Sequence, residues 1–164
     1  MAIEIAAQLA ERLSERQLRV VFAESCTGGL VSAEMARVPG ISEWLCGSAV
    51  TYRCATKSEW LDVSSADMES HTAVSEIVAS QMAEGVLAKT SEAGLAISIT
   101  GHLGPNAPQG FDGLVFVGVA RLAPEGGADV HVQRHILKET SRIERQSEAA
   151  LLVIQAALSA LEVA

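Results

Sequence analysis

Residues 19–38 read RVVFAESCTGGLVSAEMARV: a β-branched and aromatic run, a polar elbow, and then apolar residues at helical spacing. Val20, Val21 and Phe22 have the bulk and branching of a buried strand, and an amphipathic helical pattern resumes a few residues later. Glu24, Ser25, Cys26 and Thr27 therefore fall at the strand's carboxyl end. Gly28 and Gly29 allow a ligand to approach the backbone where the helix begins. The first turn of such a helix presents unpaired N–H groups and a partial positive charge, suited to a phosphate or a developing oxyanion. Ser25 and Thr27 also have a plainer use, since either residue type is a common N-cap.

Outward from this stretch, hydrophobic and turn signals alternate along the chain. Residues 3–16 place Ile5, Ala6, Leu9, Ala10 and Leu13 on one helical face. Residues 46–53 have strand character in Ala49 to Tyr52, residues 55–61 suit a short helix, and a capped turn is expected around residues 67–70. Ser75 caps the helix that follows, with Val78, Met82, Val86 and Leu87 directed to a core. Residues 95–100, LAISIT, read as a second central strand that runs into a Gly/Pro-rich loop, GHLGPNAPQGFDG. Long loops at strand ends are commonly functional. Residues 114–121 and 128–137 read as a hairpin turned by Pro124, Gly126 and Gly127, and residues 139–161 as a final amphipathic helix. This order predicts an α/β fold: a three-layer α/β/α sandwich with a five-stranded mixed, mostly parallel sheet and one hairpin-linked antiparallel strand. A ligand is then expected outside the strands' carboxyl ends, where Ser25, Tyr52, Lys57 and Thr100 can gather.

The 164 residues suffice for one domain with a core of its own, expected over residues 1–164. Twenty acidic against twelve basic side chains leave a net charge of −8, which argues against a nucleic-acid partner; the one dense basic run, residues 134–145, reads as solvated surface. No apolar run approaches a membrane span, and the amino-terminal stretch lacks the basic start of a signal peptide. Cys26, Cys46 and Cys54 show no CxxC spacing, so reduced thiols in a cytoplasmic setting are expected, with no metal site.

A serine hydroxyl needs a base, and a lysine whose pKa falls on burial can be one. Lys57 is the candidate base for Ser25, with Tyr52 to relay the proton or orient the amine, and with backbone N–H groups of residues 27–29 as the oxyanion hole. Cys26 offers a rival nucleophile, because a thiol at a helix amino terminus has a lowered pKa. Gly101 and His102, at the mouth of the long loop, join Thr100 as candidate substrate contacts, as do Glu24, Cys26, Thr27, Gly28 and Gly29. His131 and His135 share a strand face with Gln133 but lack a third ligand, a weak case for a metal.

Four segments in this order, AESCTGGLVSAEMARVPGIS, AVTYRCATKSEWLDV, HTAVSEIVASQMAEG and ISITGHLGP, resemble the carboxyl-terminal domain of the CinA (competence/damage-inducible protein) family. The match covers most of residues 21–105, and ESCTGG together with Tyr52 and Lys57 is its most specific part. The resemblance implies a five-stranded mixed sheet between helical layers and the deamidation of nicotinamide mononucleotide to nicotinate mononucleotide and ammonia, within pyridine nucleotide salvage. It implies a serine nucleophile at Ser25, with Tyr52 and Lys57 as its catalytic partners, and neither metal nor cofactor. The expected partner is a small-molecule nucleotide substrate, with no nucleic acid and no membrane; a homo-oligomer is compatible with the sequence. Larger family members carry a second, amino-terminal domain, and this chain resembles the standalone form.

Two departures bear on the substrate. The segment GPNAPQGFDGLV is shorter than the family's glycine-rich segment and has no lysine, and that loop is expected to shape the pocket. The family's Gly-Asp-Arg stretch is replaced by Lys138, Glu139, Thr140 and Ser141, with Arg142 and Arg145 at a different spacing, so the phosphate is expected to be held differently or another ligand bound. Two other classes of function remain open on the sequence: a catalytically silent nucleotide-binding module that has lost the substrate loop, and a structural or interaction domain.

Overall fold

The computed structural model describes residues 2–162. Its elements are α1 (Ala2–Arg16), β1 (Val20–Glu24), α2 (Leu30–Ala36), a 3-10 turn (Ile41–Glu43), β2 (Leu45–Val50), α3 (Cys54–Leu61), α4 (Ser65–His71), α5 (Glu76–Ala88), β3 (Leu95–Gly101), β4 (Leu114–Leu122), β5 (Ala128–Ile136) and α6 (Arg142–Glu162). The five strands form one sheet in the order β2-β1-β3-β4-β5. β1 pairs in parallel with β2 and β3, whereas β4 is antiparallel to both β3 and β5. Four strands thus share one direction and β4 alone opposes them, the mixed sheet expected from the element order.

Strand alternation on β1 builds both faces of the core. Val20 and Phe22 point to one side, joining Leu9, Leu13, Met35, Ile97, Val117 and Ile154 beneath α1, α2 and α6. Val21 and Ala23 point to the other, joining Met82, Val86, Leu87, Ala96 and Ala120 beneath α5. A strand buried on both faces reads as an unbroken apolar run, which is why Val20 to Ala23 carry no polar residue. The α5 face is lined by small residues because the helix sits directly on the sheet. A Cβ at Gly118 would lie 2.5 Å from the Ala79 carbonyl oxygen, and Ser98 Oγ donates to that same oxygen at 2.6 Å.

Several boundaries differ from the sequence expectation. Residues 65–71 form a helix rather than a turn, started by Ser64, whose hydroxyl accepts from Asp67 N. β2 ends at Val50, so Thr51 and Tyr52 leave the sheet. α6 begins at Arg142, and Lys138 and Glu139 precede it with their amides bonded to the Glu148 carboxylate.

Candidate active site

The elbow after β1 is held by Glu24, which is fully buried. Its Oε1 accepts from Thr27 Oγ1 at 2.7 Å, Val31 N at 2.9 Å and Gly29 N at 3.2 Å. Its Oε2 accepts from Ser48 Oγ at 2.7 Å and Ser32 N at 3.3 Å. The carboxylate therefore satisfies the free amides that begin α2, in the way a capping side chain does, although it comes from the preceding strand. Three expectations are corrected by this. Neither Ser25 nor Thr27 is the N-cap, a position held by Gly29 without any side-chain cap. The amides at the amino terminus of α2 are bonded to Glu24 and are not free to hold a ligand phosphate. Gly28 and Gly29 serve the turn itself, with φ of 61° and 101°, values that favour glycine; they do not line the cavity.

Ser25 leaves this buried carboxylate behind and faces a cavity of about 300 Å³ at the carboxyl ends of β1, β2 and β3. Its hydroxyl oxygen lies 2.9 Å from Lys57 Nζ, and that amine also donates to the carbonyls of Thr51 at 2.8 Å and Tyr52 at 3.3 Å. Lys57 is 1% exposed, and among the described residues it forms no ion pair. Burial lowers its pKa from the ordinary lysine value, because the low-dielectric surroundings disfavour the ammonium form. Two carbonyl acceptors match the two N–H bonds of a neutral amine, leaving its lone pair directed at the Ser25 proton. The same geometry accommodates the ammonium form, with the serine oxygen as third acceptor. The site can therefore take a proton from Ser25 and later return one.

Cys26 also lines the cavity, but burial pushes its thiol up to about 12. The expected activation by the helix terminus is absent, since desolvation outweighs every favourable charge and Glu24 already occupies that terminus. Of the amides proposed as an oxyanion hole, those of Gly28 and Gly29 are taken, by Ser25 O and Glu24 Oε1 respectively. The amides of Cys26 and Thr27 donate to no other residue's oxygen among the described residues, and of these two residues Cys26, next to the serine, lines the cavity.

Tyr52 is 52% exposed. Its carbonyl, not its phenol, meets Lys57; the phenol oxygen instead accepts from Arg142 Nη2 at 2.7 Å. Arg142 Nη1 donates to Gly104 O at 2.6 Å, so this guanidinium joins the start of α6 to the strand-to-helix junction and to the long loop. Among the described residues, Arg142 and Lys57 are the lysine and arginine side chains that line the cavity. Of residues 134–145, expected to be solvated surface, Arg134 and Arg142 are exposed, Arg142 also lining the cavity, whereas Arg145 is buried. A signal was present: an arginine in the first turn of a helix opposes the helix dipole, and such a residue is worth explaining by something outside the helix.

Thr100, Gly101 and His102, candidate substrate contacts, line the cavity together with Leu103 to Ala107, Ala73 and Val74. Thr100 Oγ1 donates to Ala73 O at 2.8 Å, tying β3 to the segment before α5. His102 packs edge-on against Phe111, and its partial burial lowers its pKa, favouring a neutral imidazole. Glu24, Thr27, Gly28 and Gly29 lie outside the cavity, so they shape the elbow without lining it. His135 Nε2 meets Gln133 Oε1 at 3.2 Å on the outer strand β5, and neither residue lines the cavity.

Residues 2–161 match the sequence model of the CinA C-terminal domain. The chain belongs to the CinA family. It is 40% identical over 155 residues to a CinA-like protein of Chlorobaculum tepidum and 36% identical over 157 residues to one of Chloroherpeton thalassium, with 92% and 93% of the chain aligned. These relatives are longer: the alignments span 36% and 37% of their lengths. The crystal structure of a competence-damaged protein (CinA) superfamily protein from Klebsiella pneumoniae superposes with a TM-score of 0.90 at 26% identity, covering 99% of this chain and 98% of that one. A competence/damage-inducible protein from Agrobacterium tumefaciens gives 0.88 at 28% identity, covering 98% and 95%. In this CinA chain, Ser25, Tyr52 and Lys57 meet at one cavity.

Proposed function

We propose that the chain is an amidohydrolase of the nicotinamide mononucleotide deamidase type, acting as a single catalytic domain with Ser25 as nucleophile and Lys57 as base. The observation that carries this reading is the 2.9 Å contact between Ser25 Oγ and a buried, carbonyl-bound Lys57 amine. Lys57 takes the hydroxyl proton as Ser25 Oγ bonds to the carboxamide carbon, and the Cys26 amide faces the developing oxyanion. The proton passes to the amide nitrogen, the carbon–nitrogen bond breaks and ammonia leaves, with the acyl group held as an ester on Ser25. Water then attacks that ester, Lys57 accepts its proton, and the carboxylate departs as the serine is reprotonated. Arg142 supplies the positive charge for the phosphate of the nucleotide, taking the place that the amino terminus of α2 was expected to hold.

The test is ammonia release from nicotinamide mononucleotide by the purified chain. The wild type should release it, Ser25→Ala should lose activity by about a thousandfold or more while remaining folded, and Cys26→Ala should stay within about threefold of wild type. A wild type that binds the nucleotide without releasing ammonia is a silent binding module. Loss of activity in Cys26→Ala with retention in Ser25→Ala would transfer the nucleophile to the thiol.

A further inference from the structure

The loop of residues 102–113 shapes the cavity, yet the side chains that hold it lie outside the cavity. Arg145, on α6, is 8% exposed and makes a two-pronged contact with Asp112: Nη1 to Oδ1 at 2.8 Å and Nη2 to Oδ2 at 3.0 Å. Its remaining donors reach Leu103 O at 3.2 Å and Glu139 O at 2.8 Å. One guanidinium thus ties both limbs of the loop to the helix, Leu103 on the outgoing limb and Asp112 on the returning one. The loop is moulded to it: a Cβ at Gly104 would lie 3.1 Å from Arg145 Nη1, and one at Gly113 3.2 Å from Nη2. Between these ties sits Gly104, whose carbonyl accepts from Arg142.

We infer that Arg145 and Asp112 are positioning residues for substrate binding: by pinning residues 102–113 to α6, they fix the Gly104 carbonyl that aims Arg142 at the ligand's anionic group. This rests on the deamidase reading only for the identity of the ligand. Neither side chain faces the cavity, so the pair acts through the loop. The planar fork of Arg145 meets the carboxylate and the Leu103 carbonyl together, a geometry that lysine cannot reproduce. Loss of the pair should therefore weaken binding and leave the Ser25–Lys57 chemistry intact.

The experiment compares wild type, Asp112→Ala, Asp112→Glu and Arg145→Lys with nicotinamide mononucleotide as the probe. Asp112 is largely exposed, so its alanine variant keeps the test open if a change at buried Arg145 impairs folding. Asp112→Ala should raise KM about tenfold, with kcat within about twofold of wild type. Asp112→Glu should recover part of the loss, and Arg145→Lys should not be additive with Asp112→Ala. Amide hydrogen exchange should quicken in residues 102–113 of Asp112→Ala and stay unchanged at the elbow of residues 24–31. A fall in kcat at constant KM, or wild-type constants in Asp112→Ala, overturns the inference. If the wild type releases no ammonia, the deamidase reading fails and the same comparison is made on the calorimetric Kd of the nucleotide. A tenfold weaker Kd then supports the positioning role, whereas an equal Kd or no wild-type binding overturns it.

Discussion

A lysine serves as a base only while it is neutral, and Lys57 is placed to be neutral nearer to physiological pH than an exposed lysine. Burial is the first cause of its lowered pKa, and among the described residues no carboxylate forms an ion pair that would restore the charge. The sign of the pH dependence follows. Activity should rise with pH through a midpoint below the ordinary lysine range and level off above it, because the inactive form is the protonated one. Stability should rise with pH from that lowered midpoint up to the ordinary lysine value, since over this window the unfolded chain holds the proton that the folded chain has released. Lys57→Arg keeps the charge but cannot act as a base, and should lose activity by about a thousandfold. A pH–rate profile with kcat for both proteins decides this, and an active Lys57→Arg protein would reduce Lys57 to a fixed charge.

Elements are joined here by buried polar contacts as much as by apolar packing. β1 and α2 meet through Glu24, whose two oxygens accept from five donors on residues 27, 29, 31, 32 and 48. Glu24→Gln preserves the shape but places an N–H₂ where Oε2 now accepts, facing the Ser32 amide. Leaving that donor unpaired should lower stability by about 1–3 kcal/mol, measured by denaturant unfolding, and should disturb Ser25 through the elbow. An unchanged unfolding midpoint would show that the elbow holds itself without the carboxylate. The expected capped turn at residues 67–70 illustrates the reverse situation. The cap at Ser64 was the informative feature of that segment, and Met68 packing beneath α5 extended a single turn into a helix.

At the scale of the whole molecule, the cavity is assembled from pieces far apart in the chain. Ser25 follows β1, Lys57 stands in α3, His102 to Ala107 follow β3, and Arg142 opens α6. Arg142 bridges three of these regions, so its role belongs to the assembled fold. Arg142→Ala should raise KM for nicotinamide mononucleotide about tenfold while changing kcat little. The defect should shrink for the corresponding riboside, which lacks the phosphate. Equal losses on nucleotide and riboside would mean that Arg142 supports the fold and does not recognise the phosphate.

The local pattern of the sequence was enough for the architecture. Apolar runs buried on both faces, Ser75 beside helical periodicity, and the Gly/Pro punctuation at residues 101–113 and 124–127 each express a short-range preference. Chirality and connectivity rules then leave few ways to arrange such elements. Ser25 and Lys57 were legible for a related reason, since each follows a strand end that an open α/β sheet brings to one edge. The partners of polar groups were not legible. Which carboxylate caps α2, whether Cys26 is reactive, which arginine reaches the cavity and which one fastens the loop are settled by desolvation and by contacts spanning up to 90 residues, as between Arg142 and Tyr52. The burial of an individual polar group and its long-range hydrogen-bond partners have no signature in sequence spacing. Thus Glu24, expected beside a ligand, is bonded to helix amides, and Arg142, exposed as expected, also lines the cavity beside Ser25 and Lys57.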